Sequence, residues 1–371
     1  NLQFKLLSAI GIIIIVSGHC YHGGMELAYN WFPPYSYNLA LFVFISGYFY
    51  KTDYEENVGK YIWKRTKRLL IPAYLWNIFY GGMVAFLGLF GFTIGAKPDL
   101  YNLFVMPFVD GEAFQYNLGS WFVYPLFLVC IINVLFRKFL KLIHLDNEFI
   151  VLIVYLAIGM IGINTALENP TAINGIVKLL VRTMFFLPCY EFGRFYKAVL
   201  EKKDTLNNVA YFAIIFAVQL ILLTFCKDLE YTPSSFTKFN NGFIIPYISS
   251  ITAIAFWLRV SRLLVPAIGN SKLVRLIADN TYGIMVNQLV GFMCLKFVFY
   301  GLSLITSGSL FGDFNVASFK SSIWYYYLPN GLQQWAFVYL IFGLLVPILI
   351  SIILNKICHI AQKYIVKFCN K

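Results

Sequence analysis

The chain has 371 residues, of which 60% are hydrophobic and 12% charged, and its mean hydropathy is +0.71. A soluble domain of this length needs a polar surface, so this composition excludes one and indicates a protein largely covered by lipid. The net charge of +12 does not require a nucleic acid partner, because membrane proteins collect basic residues on their cytoplasmic loops. We therefore expect membrane lipids, and no nucleic acid, among its partners.

Ten apolar segments approach the roughly 20 residues that a membrane-spanning helix needs. They are residues 6–20, 35–50, 69–92, 118–136, 149–166, 176–196, 209–226, 243–258, 282–299 and 335–354. The sequence thus predicts an all-α, polytopic membrane protein with about ten transmembrane helices. No internal repeat or linker interrupts this pattern, so we expect a single domain over residues 1–371 without a fused extracytoplasmic domain.

The basic residues indicate the orientation of these helices. If Lys5 is cytoplasmic, 22 of the 29 Lys and Arg residues fall on the cytoplasmic side and only four on the outer loops. None of the five pairs of loops reverses this bias. The positive-inside rule therefore predicts that both termini are cytoplasmic, and we expect a multi-pass protein of a cell membrane, most simply the bacterial plasma membrane.

Histidine at the outer end of the first segment is a candidate catalytic group. A neutral imidazole can take a proton from a hydroxyl near physiological pH, and ionisable groups at membrane depth are commonly functional. His19 occupies this position, and His22 follows one turn later. The alternative is an interfacial histidine that only hydrogen-bonds. Cys20 is either an acyl relay or, more simply, a small apolar residue.

The seven cysteines form no C-x-x-C pair, and most lie in apolar segments, so neither a disulfide nor a metal site is expected. The chain also lacks the G-x-x-x-x-G-K-[ST], H-E-x-x-H and G-x-S-x-G patterns. Their absence argues against an ATPase, a zinc protease and an α/β-hydrolase.

A basic run, residues 64–68, precedes Pro72. Such a cluster at a membrane surface can bind phosphates through charge-assisted hydrogen bonds, or it can simply anchor the protein to anionic lipid. Within the sixth segment, Arg182 either lines an aqueous tunnel or snorkels, and Glu191 is expected to pair with Arg194. The amides of Asn287 and Gln288 are consistent with either helix packing or substrate contact.

Together these features resemble the acyltransferase-3 family of multi-pass membrane O-acyltransferases. The resemblance rests on the helix that ends at His19, on residues 42–49 (FVFISGYF) and on residues 65–72 (RTKRLLIP). Weaker matches are residues 118–122, 185–188 and 280–285, so the resemblance covers essentially the whole chain. Two departures stand out. Ser8 stands where the family commonly has Arg, with Arg182 as a speculative substitute, and Asn287 or Gln288 replaces a late histidine.

The resemblance implies acetyl transfer from cytoplasmic acetyl-CoA to a hydroxyl of a cell-surface or lipid-linked glycan. His19 would act as the base, directly or through a covalent acyl-enzyme. The implied acetyl-CoA contacts are Lys64, Arg65, Arg68, Ser46, Gly47 and Tyr48, and the implied substrate contacts are His22, Trp121, Arg182 and Asn287. Two rival hypotheses are a transporter or flippase of a lipid-linked glycan and a non-catalytic sensor, for which Ser8 is the only hint.

Overall fold

The computed structural model describes residues 1–20, 31–111, 113–169, 174–231, 238–328 and 332–369, with side chains of the last helix described up to residue 357. The described part of the chain is built from helices. Its α-helices are α1 Leu2–Cys20, α2 Asn38–Tyr48, α3 Val58–Arg65, α4 Ile71–Gly88, α5 Leu100–Phe104, α6 Met106–Val109, α7 Val123–Leu142, α8 Glu148–Glu168, α9 Gly175–Phe195, α10 Asn208–Phe225, α11 Ile245–Ile268, α12 Lys272–Asp279, α13 Thr281–Ile305, α14 Val316–Ser321 and α15 Ala336–Cys369.

Within these ranges, eight helical stretches are long and apolar enough to cross a membrane. Each coincides with a predicted segment, which confirms the all-α polytopic fold. The second and sixth predicted segments are also helices, but α2 has only 11 residues and α9 carries charged side chains along its length. The eighth segment ends at Ile268 instead of residue 258, because Arg259 and Arg262 both pair with Asp204 and extend the helix beyond its apolar part.

Glycines let α2 pack directly against α9. A Cβ atom on Gly47 would lie 1.8 Å from the carbonyl oxygen of Tyr190, and one on Gly193 would lie 1.9 Å from the carbonyl oxygen of Phe44. No side chain fits at such a distance, so each helix presents a glycine to the backbone of the other. This contact holds the short α2 inside the bundle, where most of its residues are buried.

A buried ionic network joins α7, α8 and α9 near one end of the bundle. Arg137 is 1% exposed and donates to both oxygens of Glu191, at 2.9 and 2.8 Å, and to Glu148 at 2.6 Å. Arg194 binds Glu148 instead, at 2.9 Å. The predicted Glu191–Arg194 pair is therefore wrong, because Arg137 reaches Glu191 from α7.

The long segment between α13 and α15 folds back over the outer end of α1. In the turn Ile323–Tyr326, Trp324 is exposed, Tyr325 half-buried and Tyr326 buried. The chain leaving this turn is fixed to α1, since the backbone N–H of Leu328 donates to the carbonyl oxygen of His19 at 3.3 Å. The outer aromatic loop is thus part of the surroundings of His19.

Candidate active site

A cavity of about 800 Å³ runs between α1, α2, α3, α7 and α13. Three of its basic lining residues lie on α3 and on the following π-helical stretch Thr66–Leu70, and the fourth, Lys51, precedes the short helix Thr52–Glu55. This is the end of the bundle that the charge bias assigns to the cytoplasm. Further in, the lining becomes apolar and aromatic. The full lining is Ser8, Ile12, Ile15, Leu39, Phe42, Ile45, Ser46, Phe49, Lys51, Tyr54, Tyr61, Lys64, Arg65, Arg68, Leu69, Phe122, Val123, Leu126, Ala278, Asp279, Thr281, Tyr282 and Met285.

The basic run contributes three of its side chains to this cavity: Lys64, Arg65 and Arg68. Arg65 is held in place because its Nε donates to the hydroxyl of Tyr61 at 3.0 Å. Lys67, in the same run, does not line the cavity, and its ammonium lies 5.0 Å from the ring centroid of Trp63. The π-helical stretch widens the helix just before Pro72, where a proline cannot donate a backbone hydrogen bond.

The predicted acetyl-CoA contacts in α2 are divided by the structure. Ser46 lines the cavity. Gly47 faces the opposite way, against Tyr190 of α9. Tyr48 is buried, its ring stacks on Phe4 at 3.9 Å, and its hydroxyl donates to Glu201 at 2.7 Å. Gly47 and Tyr48 therefore serve helix packing here, because consecutive helical residues cannot all face one side.

His19 lies in the last turn of α1, the end that the charge bias assigns to the outer side, and is oriented by α13. Its Nδ1 is 2.8 Å from Oε1 of Gln288. The Gln288 amide nitrogen donates to the carbonyl oxygen of Met285 at 3.3 Å, so its oxygen is the group that faces the imidazole. This oxygen can only accept, which places the proton of neutral His19 on Nδ1 and leaves the Nε2 lone pair available as a base.

The cavity approaches His19 along two parallel helices. Ile15 and Met285 both line it. His19 follows Ile15 by four residues on α1, and Gln288 follows Met285 by three on α13, which amounts to about 6 and 4.5 Å along the helix axes. The inner end of the cavity is therefore one helical turn from the histidine. A molecule bound in the cavity contacts the basic residues of the protein at one end and approaches His19 at the other.

An aromatic pair covers His19 from the outer side. The ring of Tyr327 meets the imidazole edge-on, with centroids 5.0 Å apart. Trp324 stacks on Tyr327 at 5.4 Å, and 61% of its surface is exposed. His19 thus lies between an inner cavity with a basic mouth and an exposed aromatic surface on the outer side.

The predicted substrate contacts mostly lie elsewhere. Arg182 stacks over Trp121 at 4.4 Å and donates to the backbone oxygen of Asp110 at 3.2 Å, and neither Arg182 nor Trp121 lines the cavity. Ser8 does line it, so Arg182 does not take the place of the arginine that Ser8 replaces. His22 lies outside the described residues.

Asn287 is part of the helix packing. Its oxygen accepts from the hydroxyl of Tyr80 at 2.6 Å, and its nitrogen donates to the carbonyl oxygen of Gly283 at 3.0 Å. The side chain is fully buried, so both ends of the amide are occupied within the bundle. The sequence analysis did not identify the neighbouring Gln288 as the partner of His19. The signal was its position, because Asn287 or Gln288 stands where the family has a late histidine.

A comparison with protein families shows which family the chain belongs to. A family model described as an acyltransferase domain matches residues 1–355. The chain belongs to the acyltransferase-3 family. No curated protein and no solved structure gives a match to the chain. The family membership and the apolar helices together make this protein a multi-pass membrane acyltransferase, with a cavity that leads toward His19.

Proposed function

We propose that this acyltransferase moves an acetyl group from cytoplasmic acetyl-CoA to a hydroxyl of a cell-surface or lipid-linked glycan, in a bacterial plasma membrane. The observation that carries the proposal is the cavity itself, with Lys64, Arg65 and Arg68 at one end and His19 one turn beyond the other. Its volume of about 800 Å³ lies within the range of small-molecule and cofactor sites, about 300–1,000 Å³.

The donor enters from the basic end. Guanidinium and ammonium groups form charge-assisted hydrogen bonds to phosphate oxygens, so the phosphates of coenzyme A rest on Lys64, Arg65 and Arg68. The pantetheine arm extends between α1, α2 and α13, past the hydroxyls of Ser8 and Ser46, which line the cavity. This places the thioester near Ile15 and Met285, next to His19.

His19 then acts as general base in the transfer. Its Nε2 takes the proton from the acceptor hydroxyl as that oxygen attacks the thioester carbonyl carbon. The tetrahedral intermediate collapses and the carbon–sulfur bond breaks. The leaving thiolate then takes from Nε2 the proton that came from the acceptor hydroxyl. Gln288 keeps the imidazole in the required tautomer throughout. The acceptor reaches His19 from the outer face, so donor and acceptor do not have to share a compartment.

Transfer of radiolabelled acetyl from acetyl-CoA to membrane glycans tests this proposal. We expect label with the wild-type protein and a loss of at least about a hundredfold with His19→Ala, since a general base contributes about 10²–10⁴-fold. Equal labelling by both proteins would mean that another group is the base. No transfer by either protein, in membranes that contain the natural glycans, would contradict the proposed donor and acceptor and favour a glycan transporter.

A further inference from the structure

A buried lysine in the C-terminal half of α13 has no acidic partner among the described residues. Lys296 is 1% exposed. Its ammonium faces two tyrosine rings, 4.1 Å from the centroid of Tyr325 and 5.7 Å from that of Tyr339. Over the described ranges, no carboxylate oxygen lies within 4.0 Å of it. Arg137, which is equally buried, binds two glutamates instead.

Such a lysine is costly unless it meets an anion. Charged groups in membrane helices are rare and commonly mark a site of function, and a buried charge is normally paired. Ring faces attract a cation, but a desolvated cation–π contact contributes only about 2 kcal/mol. The two rings therefore offset only part of the loss of hydration of Lys296.

A buried polar group without a hydrogen-bond partner in the described part of the chain lies near this lysine. The hydroxyl of Tyr339, in α15, is fully buried and has no hydrogen-bond partner among the described residues. A phenolic hydroxyl can donate one hydrogen bond, and a lysine ammonium can donate three. The ring of Tyr339 lies 5.7 Å from the ammonium, so an anionic oxygen atom between α13 and α15 can accept from both groups.

This place is connected to His19 by one short turn. Tyr325 covers Lys296, while Tyr327, two residues later, contacts the imidazole of His19. On α13, Lys296 follows Gln288 by eight residues, or about 12 Å along the helix axis toward the outer face. A molecule that enters from outside meets Lys296 before it reaches His19.

We propose that Lys296 and the hydroxyl of Tyr339 bind an anionic group, a phosphate or a carboxylate, of the glycan acceptor. This inference rests on the proposed function and narrows its substrate to an acidic glycan. Because the two sites are about 12 Å apart along α13, the anionic group belongs to a different unit of the acceptor from the hydroxyl that is acylated. Because Tyr325 covers Lys296, binding of the anion requires the turn Ile323–Tyr326 to move aside.

Anion binding by the purified protein tests the inference without relying on transfer. The protein is first saturated with coenzyme A, so that added anions do not bind in the basic cavity. Inorganic phosphate, pyrophosphate and glucuronate are then titrated, and the unfolding midpoint is followed, because a ligand of the folded state raises it. The phosphate and glucuronate arms distinguish a phosphate site from a carboxylate site.

We expect at least one of these anions to raise the midpoint of the wild type. Its dissociation constant should be about tenfold higher or more in Lys296→Gln, since a charge-assisted hydrogen bond is lost. The matched control is Lys320→Gln. Lys320 lies on a predicted outer loop and its ammonium donates to the backbone oxygen of Phe90, so this variant should bind the anions like the wild type. An unchanged constant in Lys296→Gln, or no anion effect on the wild type, would overturn the inference.

Two further variants test the site in case Lys296→Gln does not fold. Lys296→Arg keeps the charge and should retain binding, whereas Tyr339→Phe removes only the hydroxyl and should weaken it severalfold. If Tyr339→Phe and Lys296→Arg both bind like Lys320→Gln while Lys296→Gln is unfolded, the tyrosine has no role and the proposed site is wrong. Stabilisation by coenzyme A is recorded separately, so loss of the donor site is distinguishable from loss of this anion site.

Discussion

At the scale of single residues, the pairing of His19 with Gln288 is the contact that gives the histidine a defined chemical role. A lone imidazole can present either nitrogen to a substrate. Here the Gln288 oxygen, 2.8 Å from Nδ1, fixes the tautomer because its own amide nitrogen is held by Met285. In the proposed mechanism the free Nε2 is the base, and Gln288 has the orienting role that the carboxylate has in hydrolase triads.

Replacing Gln288 by alanine should therefore lower kcat by about a hundredfold, near the lower end of what a general base contributes, while the KM for acetyl-CoA changes little. Gln288→Glu retains an acceptor oxygen and should keep most of the activity. Steady-state kinetics of acetyl transfer measures both. Gln219→Ala is the matched control, because Gln219 is equally buried but lies in α10, away from the cavity. A rate unchanged in Gln288→Ala would show that His19 needs no orienting partner.

The same pair shows what the sequence could and could not predict of the site. His19 is recognisable because it ends an apolar helix, where an ionisable group is unusual. Its partner is 269 residues away in the chain, and only the packing of α1 beside α13 brings the two together. Asn287 and Gln288 are adjacent amides with similar sequence signals, and helical geometry alone turns one toward Tyr80 and the other toward His19.

At the scale of elements, the contact between α2 and α9 assigns Gly47 to packing. The family resemblance implies that Gly47 contacts acetyl-CoA, whereas in the structure this glycine lies against the backbone of Tyr190. The periodicity of the sequence could not distinguish a cofactor contact from a helix contact. An apolar helix with a small residue has the same sequence pattern in both cases. Ser46, one residue earlier, faces the cavity, since successive residues point in different directions around a helix.

Gly47→Ala tests this assignment. The added methyl group would lie 1.8 Å from the Tyr190 oxygen, so α2 must shift, and overpacking of this kind costs about 1–3 kcal/mol. We expect a lower unfolding midpoint with an unchanged KM for acetyl-CoA in the folded protein. Gly82→Ala in α4, where nothing lies within 4 Å of the new Cβ, should not lower the midpoint. A raised KM without loss of stability would instead place Gly47 in the donor site.

At the scale of the whole molecule, hydropathy and charge predict most of the architecture. All ten predicted segments are helical, and eight of them coincide with helices long and apolar enough to cross a membrane. The bias of basic residues predicts their orientation. The path of the cavity does not follow from either, because it depends on which sides of α1, α2 and α13 face each other. The basic run illustrates the difference, since its sequence is consistent with lipid anchoring and with phosphate binding along its whole length.

The folded bundle gives neighbouring residues of this run different surroundings, and this supplies the last prediction. Arg68 lines the cavity, whereas Lys67 lies over Trp63 outside it. If the run binds the phosphates of the donor, Arg68→Glu should raise the KM for acetyl-CoA by about tenfold or more, as expected for a lost charge-assisted hydrogen bond, and leave the KM for the acceptor unchanged. Lys67→Glu makes the same charge reversal on the same surface. It should change the donor KM less than about twofold, because Lys67 lies outside the cavity and solvent screens its charge from the bound donor. Equal effects of the two reversals would mean that the run acts through its overall charge at the membrane, and that acetyl-CoA enters the protein elsewhere.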